Sequence, residues 1–212
     1  MLLLFISIFL SNEIKSLKIS KLIIELTIPI VILSVFFIFL FKDLNILSTS
    51  TLKIDSFYFF FRLLFIIFFI FCLYSFKNYF FLDKIYLYEF PIILLLSIEG
   101  SFLMLMTDNL FTFYLALEVQ NLCFYIMASL KRYSNFSTEA GLKYFLLGVF
   151  SSSLLLFGIS LLYGLLGTLD LKEIYILINY ENFEYIYILL FIGLFFFICG
   201  LLFKLGSVPF HY

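Results

Sequence analysis

Apolar residues run along this chain in long, nearly unbroken stretches, at about Leu22 to Phe41, Ser56 to Phe76, Ile85 to Met106, Leu110 to Leu130, Ala140 to Leu166 and Tyr185 to Leu205. Each is long enough to cross a hydrocarbon layer of roughly 30 Å at about 1.5 Å of helical rise per residue. Backbone groups left unpaired in lipid are too costly to tolerate, so continuous runs of this length predict helices rather than strands. Six membrane spans are expected, in an all-α integral membrane fold. The opening MLLLFISIFL is too short to span unaided, because ten residues reach only about 15 Å as a helix. It has no basic leader and no small-residue cleavage site before SNEIK, so residues 1–21 read as a short interfacial segment and 22–212 as the transmembrane helical domain.

Composition agrees with the pattern: 65% of the residues are apolar and only 13% charged, a balance that water-soluble domains of this length do not show. The net charge of −1 offers no basic surface for nucleic acid. Cys72, Cys123 and Cys199 all fall within spans and form no CxxC pair, so they suggest packing residues rather than a disulfide framework or a metal site. Phe, Ile, Leu and Tyr dominate, as AT-rich codons would encode, which fits an organellar gene. Alternate loops put Lys15, Lys18, Lys21, Lys77, Lys84, Lys131 and Arg132 on one side and Lys42, Lys53 and Lys172 on the other. That bias predicts that the lysine-rich side, with the N-terminus and the KRYSNFS loop, faces the cytoplasm or the mitochondrial matrix. The longer loop at 167 to 184 has room for a short surface helix.

Against this background the charges inside the spans need reasons, since a lone charge at mid-bilayer costs about 3 kcal/mol on insertion scales. Glu25 and Arg62 lie near span ends, where a long side chain can snorkel to the interface. Glu99 precedes Gly100 and Ser101, a small-residue step that lets a neighbouring helix approach and supply a polar partner. Glu118 belongs to a stripe with Tyr114, Asn121 and Tyr125, spaced to share one helix face. In lipid that face must turn toward protein or water, either as interhelical hydrogen-bonding glue or as a carboxyl able to take and release a proton. Lys143 follows Glu139 by one turn, as in a pair that supports an exposed helix, and Ser134, Asn135, Ser137 and Thr138 suit the cap of that helix. Gly148, Ser151, Ser152 and Ser153 then favour close packing or a wetted wall.

The chain closes on GLLFKLGSVPFHY. Pro209 offers no N–H to the carbonyl of Leu205, and Gly206 loosens the turn between, so the last helix is expected to break just after Lys204. A broken helix exposes polar backbone, which at membrane depth is tolerated only under protein or beside a water-filled cavity. Lys204 beside such a break is a candidate proton carrier. His211, just beyond it, is either a relay or a histidine solvated at the surface.

These segments resemble a known family. ALEVQNLCFY, STEAGLKYFLLG and the closing GLLFKLGSVPFH are closely similar to subunit 2 of respiratory complex I, the proton-translocating NADH:ubiquinone oxidoreductase, rather than to its homologous subunits 4 and 5. The resemblance covers about positions 85 to 211, and KIDSFYFFFR at 53 to 62 is similar to the segment opening the family's third helix. It implies a fourteen-helix fold with two inverted repeats, each containing a broken helix, of which the spans here would be the second to seventh. It also implies that Glu118 matches the glutamate of the fifth helix, Lys143 the lysine of the sixth, Lys204 the lysine of the broken seventh and His211 a histidine beyond the break. In the family these lysines pass protons at mid-membrane, with the glutamate biasing a lysine's affinity.

On this resemblance the chain is expected in the mitochondrial inner membrane, with its N-terminus on the matrix side, as a non-redox part of the complex. It would bind no cofactor itself, while NADH, FMN, iron–sulfur clusters and ubiquinone act elsewhere. Its partners would be other membrane-arm subunits, lipids and a second chain supplying the C-terminal half of subunit 2, as in a split gene. The alternatives are a bridging membrane module with no proton path of its own, or a subunit of a related ion antiporter or membrane hydrogenase.

Overall fold

The computed structural model describes Glu25, Thr27 and Pro29 and then residues 56–83, 89–131, 133–180 and 186–207. The first expected span, the segment 1–21, Pro209 and His211 therefore lie outside the described residues, apart from three helical positions within that span. Six helices follow: α1 (Ser56–Asp83), α2 (Glu89–Met106), α3 (Leu110–Ala128), α4 (Asn135–Leu166), α5 (Leu171–Tyr180) and α6 (Ile186–Leu205). The helices α1 to α4 are long and apolar enough to cross a membrane, and α6 adds a slightly shorter apolar run, Ile188–Lys204. The short α5 occupies the long loop between α4 and α6.

Sequence and structure differ most at helix ends. The helix expected from Ala140 begins at Asn135, because Ser134 takes the cap: its side chain accepts a hydrogen bond from the Ser137 N–H at 3.1 Å. Likewise Asn109 caps α3 by accepting from the Phe111 N–H at 2.9 Å. Its amide also donates to Asp170 Oδ1 at 2.7 Å, and two backbone bonds, Leu110 to Leu169 and Leu171 to Asp108, tie this end of α3 to the start of α5. Caps extend a helix past its apolar run, which hydropathy alone does not register.

The spans pack side by side. α1 meets α2 through Ile66, Phe69 and Leu73 against Phe90, Leu94 and Phe102. The buried positions Tyr58, Ile66, Phe69 and Leu73 fall on one face of α1, while Phe57, Phe60, Ile67, Phe68 and Phe71 stand exposed on the others. A helix apolar all round is suited to lipid on its free side and protein on the other. α2 meets α3 where Gly100 lies against the backbone of Gln120: an added Cβ would stand only 3.1 Å from the Gln120 nitrogen. The close approach expected from Gly100 is therefore present, and Glu99 itself is exposed, within electrostatic reach of Tyr58 on α1. Among the described helices the most extensive interface joins α4 and α6. There a Cβ on Gly158 would fall 2.6 Å from the Phe197 nitrogen, and one on Gly200 would fall 2.9 Å from the Ser151 carbonyl. Small residues thus bring the two backbones together, which drives helix association where no hydrophobic effect operates between helices.

Arg62 turns toward the start of α1, where it donates to the Tyr58 hydroxyl, and its guanidinium lies 4.6 Å from the centre of the Phe102 ring on α2. The charge expected to snorkel is held between two helices by a phenol and two aromatic faces.

Candidate functional site

The polar stripe on α3 faces α4 and α6. Tyr114 lies within hydrogen-bonding reach of the Ser152 side chain on α4, and one turn further Glu118 meets α6, where Lys204 Nζ donates to Glu118 Oε1 at 2.9 Å. The partners are 86 residues apart in sequence. Their side chains are 12% and 24% exposed for Lys204 and Glu118, so the pair is screened little by solvent. Phe113 of α3 also meets Phe197 of α6, with ring centres 6.5 Å apart.

Lys204 sits in the last turn of α6, where the helix dipole favours a cation. That turn ends at Gly206, in the left-handed region at φ 64°, as the loosened turn predicted. The Gly206 N–H donates to the Phe203 carbonyl and the Ser207 N–H to the Leu202 carbonyl, each at 3.2 Å. This pair of bonds is a Schellman cap. A residue with a Cβ would be strained at this φ, so Gly206 sets the point at which the chain leaves the helix, directly after the lysine.

Beside the pair is a cavity of about 170 Å³, lined by Lys204, Asn121, Tyr125, Tyr144, Ser151 and Phe203, among others. A water molecule's share of liquid volume is about 30 Å³, so the space suits several waters. Its wall offers an ammonium, an amide, a serine and two phenols to bond them. The Asn121 amide nitrogen is buried with no protein partner among the described residues, which favours a water there. Tyr114, Glu118, Asn121, Tyr125, Lys204 and Gly206 are thus gathered in one place. Lys143 is not: it pairs with Glu139 at 2.6 Å on the outer face of α4, with 71% of its side chain exposed. Of the serines that follow, Ser151 and Ser152 are buried and bond back to the carbonyls of Gly148 and Val149. Ser151 joins the site as the wetted wall expected of the small-residue run after Lys143, whereas Tyr144 joins it without having been singled out by the sequence, since no polar stripe on α4 marks it. The three cysteines are free thiols, and among the described residues no cluster of three or more His, Cys, Asp or Glu is placed to hold a metal ion.

Fold and site define a polytopic helical membrane protein with a half-buried lysine–carboxylate pair at a helix terminus. Residues 107–212 match the family model described as NADH:quinone oxidoreductase/Mrp antiporter, transmembrane, and the chain belongs to that family. Its relatives include NADH-quinone oxidoreductase subunit N of Bartonella bacilliformis, 38% identical over 88% of this chain and 38% of the relative. NADH-ubiquinone oxidoreductase chain 2 of Oenothera berteroana is 46% identical over 58% of this chain and 26% of its own length. Among solved structures, respiratory complex I from Thermus thermophilus with bound aureothin contains a chain similar to this one, with a TM-score of 0.65 and 25% identity over 91% of this chain and 40% of that one. The chain therefore spans well under half the length of these relatives. It is an antiporter-like membrane subunit of the complex I subunit 2 type.

Proposed function

We propose that this chain forms the N-terminal part of a proton-translocating membrane-arm subunit of mitochondrial NADH:ubiquinone oxidoreductase, with Glu118 and Lys204 as its proton-exchanging pair. The observation that carries the reading is the 2.9 Å contact between their half-buried side chains at the end of α6. Taking an ammonium out of water costs free energy unless a counter-charge stands beside it. A shift of α6 or α3, driven by quinone reduction elsewhere in the complex, would part the two groups and let the Lys204 proton pass to the water of the cavity.

In this reading Asn121 and Tyr125 hold water against Lys204, Lys143 extends the polar axis on the outer face of α4, and His211 accepts or supplies protons past the break at Gly206 and Pro209. The chain carries no redox centre; NADH, FMN, iron–sulfur clusters and ubiquinone act in other subunits. It sits in the mitochondrial inner membrane among the other membrane-arm subunits, with its N-terminus on the matrix side. The remaining length of the family fold, on this polypeptide or on a second chain, completes the route. Intact-mass measurement of the purified assembly separates those two arrangements.

Glu118→Gln keeps the shape and removes the charge. In vesicles holding the assembled complex, it is expected to reduce the protons moved per NADH oxidised to a small fraction of the unsubstituted value. An unchanged ratio would overturn the assignment and favour the bridging module.

A further inference from the structure

Glu99 is left over when other charges of the spans have been matched. Lys204 meets Glu118, Lys143 meets Glu139, and Arg62 is taken up by the Tyr58 hydroxyl and the Phe102 ring. Among the described residues the Glu99 side chain has no hydrogen-bonding or ion-pair partner, and it stands exposed on α2. Its depth follows from its neighbour: Gly100 packs on Gln120 near the middle of α3, two residues from Glu118. Glu99 therefore lies at about the depth of the Glu118 and Lys204 pair. The nearer end of α2, Met106, is seven residues away, about 10 Å along the axis, too far for a glutamate to snorkel to the interface. Leu96 and Leu103 flank it at spacings of three and four and are 45% and 42% exposed, so the three residues form one outward stripe.

We propose that the stripe of Leu96, Glu99 and Leu103 is the seat of a membrane helix from another polypeptide chain, which brings a lysine or arginine to the Glu99 carboxylate at mid-membrane. A carboxyl at this depth is costly against acyl chains and is found facing protein or water. A single hydroxyl would give it one hydrogen bond, whereas a cation supplies both the bond and the counter-charge that a low dielectric demands. The basic groups of the described spans are engaged elsewhere, which leaves the counter-charge to come from outside them. The chain belongs to a subunit type that works beside other membrane subunits, so a second chain is at hand to supply it. The two leucines supply the apolar contact on either side of the charge and fix the height at which the partner's basic residue must sit. The contact holds subunits together and does not depend on whether the Glu118 and Lys204 pair moves protons.

The test uses the intact complex in its membrane, with a benzophenone amino acid in place of Leu96 or of Leu103, irradiated without NADH. Both positions are expected to form a covalent adduct with the same other chain, at a span that carries a lysine or arginine within two turns of the attachment point. Glu99→Leu in the same background should lower the adduct yield several-fold, with Glu99→Gln in between. A Glu99→Lys change combined with an acidic residue at the partner's basic position should restore it. Adducts to lipid alone, adducts within this chain, adducts to a span with no basic residue in reach, or a yield unchanged by Glu99→Leu would each overturn the docking site. If Glu99→Leu fails to assemble, the adducts formed with Glu99 in place decide by the same criteria. Because no NADH is used, the result stands apart from the transport measured for Glu118→Gln, and either claim can fail without the other.

Discussion

Among the described residues, Arg62 and Lys204 each hold a half-buried positive charge between membrane helices, and they do so in opposite ways. Between α1 and α2, Arg62 is held by the Tyr58 hydroxyl and the Phe102 ring, beside a close apolar cluster in which Phe69 and Leu73 are each 1% exposed. Between α3 and α6, Lys204 is held by a carboxylate, beside a cavity with an amide and two phenols in its wall. A guanidinium does not give up its proton in proteins, so its site can only be a fixed one, and aromatic faces are a sufficient partner. An ammonium under burial does give up its proton when its partner moves away. The pairing of a releasable proton with a titratable acceptor and with room for water is found at the second place. The first is a structural joint and the second has the parts of a working one.

The sharpest way to break that comparison is to neutralise Lys204. Lys204→Met leaves the helix and its Gly206 cap in place but removes the transferable proton. NADH-driven proton transport should be abolished in the assembled complex, while electron transfer to an artificial acceptor at the NADH end continues. Transport that persists would make the pair as structural as Arg62. The next largest effect belongs to the other region. Phe69→Ala opens a void in the α1–α2 cluster and is expected to cost about 3–5 kcal/mol, read as an earlier thermal transition of the complex in detergent. The fraction that remains assembled should move protons at the normal ratio. A changed ratio would mean that α1 and α2 are coupled to the pair. The smallest effect is expected from Arg62→Lys, which keeps the charge and loses the planar face stacked on Phe102. It should cost about 1 kcal/mol of stability and leave transport untouched.

Much of this arrangement was legible in the sequence, and what was missing has identifiable causes. The spans of α1 to α4 and α6 followed from hydropathy because lipid imposes the same requirement on every residue of a span. Their ends did not follow from hydropathy: Ser134 was readable as a cap from its residue type, but Asn109 acts through a single hydrogen bond that a windowed average erases. The break after Lys204 was readable from Gly206, since a left-handed turn needs a residue without a Cβ. The stripe from Tyr114 to Tyr125 was readable from helical spacing. Its partner was not legible from spacing, since no periodicity joins Glu118 to a lysine 86 residues away; only the family resemblance coupled the two, and Lys143, nearer in sequence, is the lysine that the fold turns outward. Gly148 was readable as a place of close packing, and Tyr125 fills it, but Tyr144 was hidden, because it meets the site only through the ring of Tyr125 packed against it.

The sequence by itself determined the solvent, the number and kind of elements it favours, and the inventory of charges that a bilayer makes expensive. Each of these depends on one residue and its immediate neighbours meeting lipid. Which charge meets which partner depended on how closely the helices approach. Here the missing side chains of Gly100, Gly158 and Gly200 allow the backbones of α2, α3, α4 and α6 to draw together. Only the tertiary structure decided that this approach would bring Lys204 to Glu118, leave Lys143 on the outer face and put a cavity beside the pair.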